Sequence, residues 1–127
     1  MNIVEKAKNY GWPVIHHTET RVGMELPLLE YTPACAPGSG SFYRGNAFPE
    51  FRGNVFFGCL KGERIVRVVL DGRRVASQEN LLSGKYGRIR EVVEGPDGYL
   101  YFSTSNKDGR GAPASDDDRI IRLVPNK

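Results

Sequence analysis

The sequence predicts an all-β protein built from antiparallel four-stranded meanders, and three observations carry that prediction. Short runs of Val, Ile, Leu, Phe and Tyr recur along the 127 residues, each bounded by turn chemistry. Fifteen glycines and eight prolines are spread through the chain rather than gathered in one linker. The succession GNVFFG then ERIVRVVLDG returns later as GYLYFST then DRIIRLVPN, so that an RI-aliphatic-Arg element recurs at Arg64 and Arg119.

Taken in order, residues 2–7 (NIVEKA) suit a short strand, and NYGWP after them is a turn punctuated by Gly11 and Pro13. The stretch TPACAPGSG holds too many prolines and glycines for an element interior and suits an ordered loop. Short strands are then expected at residues 40–44, 54–60, 63–70 and 73–76, joined by RGNAFPEFRG, KG and DG. A second meander begins at Arg88 with RIREVVEG, turns at PDG into YLYFST, crosses the polar insertion SNKDGRGAPASDD and ends in DRIIRLV. The expected organisation is a single domain: an N-terminal strand-and-loop segment over 1–39, a first repeat over 40–82 and a second over 83–127.

Four-stranded repeats of roughly 40–50 residues are the mark of propeller blades, whereas a β-sandwich predicts strands without this repetition. Closed propellers use about four to eight blades. This chain holds about two, a partial β-propeller whose strand edges and apolar flanks need a cover. Identical chains could supply it, and three two-bladed copies would make six blades.

Charge and composition narrow the function classes. The net charge is +3, but Lys and Arg stand singly among acids, and no nucleic-acid recognition motif is present. Residues after Met1 lack the apolar stretch of a signal peptide, and no window approaches membrane-spanning length. A soluble chain with no export leader of its own is therefore expected, with neither nucleic acid nor membrane as partner. Cys35 and Cys59 show no metal-ligand spacing, and their flanks PACAP and FFGCL favour buried free thiols over a disulfide.

Arg88 and Arg90 pose a sharper question. Two apart in an extended run, both leave the same face, and a buried unpaired charge costs several kcal/mol in order of magnitude. Either the face is wet or it holds an anion. If Arg88 and Arg90 open a blade, they face the propeller axis and suit a polyanionic ligand. The structural alternative is pairing with Glu91, Glu94 or acids of neighbouring blades. Lys61 stands beside them as a cation at the tight KG turn. His16 and His17 have no third ligand at useful spacing and suit structural roles. Asp108 and the run Asp116–Asp118 lack EF-hand spacing and suit a solvated acidic loop paired with Arg110 or Arg119.

The order NYGWP, PACAPGSGSFYRG, FPEFRGNVFFGCLKGERIVRVVLDG, RIREVVEGPDGYLYFSTSNKDGRG and DDDRIIRLVP resembles the C-terminal part of the soluble quinoprotein sugar dehydrogenases, the glucose/sorbosone dehydrogenase family. The resemblance covers nearly the whole chain. It implies a six-bladed β-propeller that binds pyrroloquinoline quinone (PQQ) and calcium and oxidises aldose sugars. By position, Lys61 resembles the family lysine that contacts the quinone, and Arg88 and Arg90 its arginine pair facing the PQQ carboxylates. Tyr31 and Ala34 stand where the family commonly has a tryptophan and a hydroxyl-bearing residue. The family's catalytic histidine and calcium ligands belong upstream of NYGWP, so no catalytic residue and no metal ligand is expected in this chain. The resemblance thus implies a related oxidoreductase fragment that is inactive by itself, from relatives that are typically periplasmic or secreted. The alternative is a homo-oligomeric binding module for a small anion or sugar.

Overall fold

The computed structural model of the chain describes residues 1–126. Seven strands follow one another: β1 (Pro37–Phe42), β2 (Val55–Cys59), β3 (Arg64–Asp71), β4 (Arg74–Leu81), β5 (Ile89–Glu94), β6 (Leu100–Thr104) and β7 (Ile120–Arg122). The one helical element among the described residues is a 3-10 turn at Pro49–Phe51. β1 to β4 form an antiparallel sheet in sequence order, and β5 to β7 form a second. The architecture is that of a partial β-propeller. β2 and β6, and likewise β3 and β7, take equivalent places in the two sheets, so the repeated motifs mark repeated strands.

Burial explains each strand's sequence. β2 carries VFFGC because both of its faces are covered, and four of its five residues are buried. Phe56 and Ile65 point into the core between the sheets, where Ile89, Val92, Leu100 and Phe102 meet them with Tyr43 and Phe48. On the opposite face of the first sheet, Cys35, Phe57, Cys59, Val66 and Val68 form a second cluster, covered in part by Met1, Leu29 and Tyr31 of the N-terminal segment. Fully burying a side chain such as Phe56 contributes on the order of 2–3 kcal/mol.

Two expectations are corrected. Residues 1–36 contain no strand, and the segment 2–7 runs irregularly. It lacks a ladder partner, and is held instead by single hydrogen bonds: the Tyr10 hydroxyl donates to Ile3 O (2.6 Å), and the Met1 amino group donates to Leu29 O (2.6 Å). β4, expected to stop at residue 76, continues to Leu81 through the polar run ASQEN. As the outer strand of its sheet it is largely exposed, so no alternation marks it; pairing to β3, with Arg67 opposite Glu79 and Ile65 opposite Leu81, holds it extended.

The two sheets meet through β1 and β5, which run side by side in the same sense. The Ser41 hydroxyl donates to Val92 O (3.1 Å), and the backbone N–H groups of Arg44 and Gly45 donate to Glu94 Oε2 (2.6 and 2.9 Å). Glycines permit the approach: a Cβ at Gly38 would lie 2.0 Å from the Arg90 carbonyl oxygen, and one at Gly58 would lie 2.7 Å from Ile89 Cγ2.

Core and open positions should respond differently to truncation. Phe102 is 1 % exposed and Ile120 is 79 % exposed. Phe102→Ala is expected to cost about 3–5 kcal/mol in urea unfolding, and Ile120→Ala within about 0.5 kcal/mol. Equal losses would contradict the placement of the core between the sheets.

Candidate anion-binding end

Four segments converge at one end of the two sheets. They are the loop entering β1, the Leu60–Glu63 turn between β2 and β3, the start of β5, and the Ser105–Arg119 loop between β6 and β7. The backbone ties them together. Cys35 O accepts from the N–H groups of Lys61 (3.1 Å) and Gly62 (3.0 Å), and Ser105 N donates to Arg88 O (2.9 Å). Beside them lies a cleft of about 520 Å3, lined by Glu30 to Cys35 on one side and by Lys61, Gly62 and Arg64 on the other.

The two arginines have divided fates. Arg88 has a side chain only 8 % exposed, and donates through Nε (3.1 Å) and Nη2 (2.8 Å) to Asp108 Oδ2. Its backbone N–H is taken by Asn106 Oδ1 (2.8 Å). Arg90 lies at an irregularity in the β5–β6 register, and its side chain is 53 % exposed. Its Nη2 donates to Ser105 Oγ (2.9 Å) and lies 3.4 Å from Asp108 Oδ2. The face is therefore both wet and anion-bearing: Asp108 serves the buried guanidinium and Arg90 reaches solvent.

Asp108 is the acid that partners the buried arginine. The sequence suits Asp108 to a solvated acidic loop paired with Arg110 or Arg119 and offers the arginines Glu91, Glu94 or acids of neighbouring blades, whereas in the structure Asp108 accepts from both Arg88 and the Arg110 N–H. Glu94 instead accepts the backbone N–H groups of Arg44 and Gly45. The Arg88 hydrogen bonds, then the Arg110 N–H and the charges of Arg88 and Arg90, hold the Asp108 carboxyl below its ordinary value. One carboxylate facing two guanidinium groups leaves a positive charge unmatched. Lys61 and Arg64 form no salt bridge among the described residues, and the acids beside them are Glu30 of the cleft wall and Glu63 of the same turn. Arg64 Nε is also buried without a hydrogen-bond partner. No periodicity could have announced Asp108, which reaches Arg88 across the width of an irregular loop.

The other residues singled out earlier are structural in their contacts. Asp117 accepts from Ala114 N (2.8 Å) and Asn106 Nδ2 (2.9 Å), and lies 3.3 Å from Arg119 Nε; Asp116 lies 3.0 Å from Arg119 Nη1. Asp118 accepts from Asn106 N (2.5 Å). These acids pin the insertion loop, and among the described residues no three His, Cys, Asp or Glu side chains converge as a metal site. His16 and His17 are exposed; His17 Nδ1 lies 3.2 Å from Glu30 Oε2 and 2.9 Å from Thr32 Oγ1. The Tyr31 hydroxyl donates to Gln78 on β4 (2.9 Å), and burial pushes its phenol pKa up.

Comparison with known proteins gives the family of the chain. The family model for glucose/sorbosone dehydrogenases matches residues 1–122. The chain belongs to the glucose/sorbosone dehydrogenase family. It is 31 % identical to the aldose sugar dehydrogenase YliI of Escherichia coli, over 86 % of this chain and 33 % of that protein. An uncharacterised protein of Synechocystis, slr1608, is 34 % identical over 87 % of this chain and 29 % of its own length. The PQQ-bound aldose sugar dehydrogenase of Streptomyces coelicolor superposes with a TM-score of 0.83 at 32 % identity, covering 97 % of this chain and 35 % of that one. The chain thus spans about a third of the length of these glucose/sorbosone dehydrogenase relatives.

The Asp108 pairing has a pH signature. Its folded-state pKa is depressed, so the contribution is present above the ordinary carboxylate value and is lost as pH falls through the lower folded value. Asp108→Asn is expected to remove that part of the acid dependence, read as urea midpoints compared from about pH 6 down to about pH 2. An unchanged slope in that variant would show that the pair contributes nothing.

Proposed function

We propose that this chain supplies the cation-bearing side of the PQQ pocket of an aldose sugar dehydrogenase. The observation that carries the reading is the surplus of positive charge at one end of the sheets, in a chain whose structural neighbour is a PQQ-bound aldose sugar dehydrogenase. Guanidinium and ammonium groups suit a ligand with three carboxylates, because charge-assisted hydrogen bonds are shorter and stronger than neutral ones. The donor set therefore fits the cofactor.

Lys61 and Arg90 would hold the carboxylates from the exposed side. Arg88, locked by Asp108, would act as a fixed charge behind them. When bound, the quinone supplies a two-electron acceptor for sugar oxidation. His17 Nδ1 is held by Glu30 and Thr32 of the cleft wall, and neither histidine lines the cleft itself. We place the proton-abstracting group, and the calcium ligands, on residues outside this stretch. The 127 residues by themselves should not turn over sugar.

A second reading is favoured by one observation: Val93 and Ile120 are 44 % and 79 % exposed on the outer face of the second sheet, where they stand among Glu91, Tyr101, Ser103 and Arg122 and could be covered by a further sheet. Further blades of the same protein, or copies of this chain in a cyclic assembly, would supply it. Sedimentation of the isolated chain separates these, because a stable monomer at micromolar concentration eliminates the self-assembled binding module.

Titration of the chain with PQQ, followed by absorbance, tests the leading reading. Arg90→Ala and Lys61→Ala are each expected to weaken binding by about tenfold, and the Arg88→Ala, Arg90→Ala double variant to abolish saturation. Wild-type affinity in the double variant would sink the proposal. Glucose-dependent dye reduction by the isolated chain, at rates matching a full-length relative, would overturn the claim that the base lies elsewhere.

A further inference from the structure

The two cysteines lie together on the side of the first sheet that faces the N-terminal segment. Cys59 is fully buried at the end of β2, and Cys35 is 2 % exposed in the loop entering β1. The Cys59 thiol donates to Cys35 Sγ across 3.0 Å. A disulfide bond is about 2 Å long, so the sulfurs must close by roughly 1 Å. The flanking backbone is already aligned for that closure. Pro37 pairs with Cys59 in the ladder, Leu60 N donates to Ala36 O (2.9 Å), and Lys61 and Gly62 donate to Cys35 O. The two segments therefore run against each other on both sides of the sulfur pair.

Access to the two thiols is unequal. Cys35 lines the 520 Å3 cleft and also a second depression of about 280 Å3 on the N-terminal side, whereas Cys59 lines neither. Cys35 is the thiol nearer the cleft, and at 2 % exposure it meets a reagent only when the cleft wall opens. Asp, Glu and His side chains do not complete a metal site around the pair, since no three such ligands converge among the described residues. The surroundings thus favour sulfur chemistry within the pair over metal ligation.

We propose that Cys35 and Cys59 are a modification site: a vicinal thiol pair that a small disulfide, of the oxidised glutathione class, converts to an internal disulfide, stapling the loop that walls the cleft to the end of β2. In the first step the Cys35 sulfur attacks one sulfur of the reagent, forming a mixed disulfide and releasing one reagent thiol. In the second the Cys59 sulfur attacks Cys35, forming the internal bond and releasing the second reagent thiol. Two protein thiols lose two electrons and two protons, and the reagent disulfide gains both. Burial, followed by the hydrogen bond to Cys35, pushes the Cys59 thiol up to about 12, so the closing step should quicken as pH rises.

The structural consequence falls on the least regular part of the molecule. Residues 1–36 have no strand to hold them, and Ala34 and Cys35 form one wall of the cleft whose other wall carries Lys61 and Arg64. A covalent bond there fixes the two walls with respect to each other. This inference does not rest on the quinone reading, because it needs only the thiols and the cleft.

The test uses the full chain with oxidised glutathione at about pH 8, quenched by iodoacetamide in denaturant and read by intact mass and peptide mapping. The expected result is loss of two hydrogens, no alkylation and a Cys35–Cys59 linked peptide, reversed by dithiothreitol. The oxidised chain should melt roughly 10 °C higher than the reduced one. Cys59→Ser should instead retain a glutathione adduct on Cys35. Alkylation of both cysteines after oxidant treatment of the folded chain would overturn the proposal, as would an adduct at Cys35 in wild type that never passes to the internal bond.

Discussion

The close approach of β1 and β2 to β5 is the constraint on which the remaining geometry depends. Gly38 and Gly58 bring backbone to within a distance that any side chain would occupy. With the strands this near, Phe56 and Ile65 reach Ile89 and Phe102 and close a single core between the sheets. The same contact sets the sheets' relative register. It places the turn carrying Lys61 and the start of β5 carrying Arg88 and Arg90 at one end, so that charges distant in sequence come to share a surface.

At that end the electrostatics are asymmetric. A buried guanidinium is tolerable only with a hydrogen-bonded anion, and Asp108 is that anion for Arg88. The pairing does not neutralise the surface, because Arg90 shares the carboxylate at longer range and Lys61 has no acid partner among the described residues. Asp108 therefore has two effects: it stabilises the start of β5, and it fixes one charge behind a second, Arg90, that is half-exposed and hydrogen-bonded to Ser105. Under the proposed reading such preorganisation would favour a polyanion, since less side-chain freedom is lost when the ligand arrives.

Much of the fold was legible in the amino-acid pattern. The repeated GNVFFG and GYLYFST runs mark β2 and β6, and the Arg64 and Arg119 elements mark β3 and β7. They could be recognised because central strands are buried and carry dense apolar sequence. The errors fall where burial is absent. ASQEN in β4 is exposed and its extension comes from β3, while NIVEKA has an apolar content that suits a strand but no partner to pair with. The cations of the candidate site were legible as residues but not as an arrangement. Arg88 and Arg90 were visible as an anomaly in a strand, yet their partner lies in an irregular insertion, where no period relates position to direction.

By itself the sequence determined the all-β class, the two repeats, the family resemblance and the cations at Lys61, Arg88 and Arg90, because each is written in local pattern or in the order of motifs. Only the tertiary structure decided that Arg88 is buried on Asp108 while Arg90 is wet, and that Cys35 and Cys59 lie 3.0 Å apart. Those outcomes depend on which loops the packing of β1 against β5 brings together. That packing is a property of distances between strands, which no single stretch of residues contains.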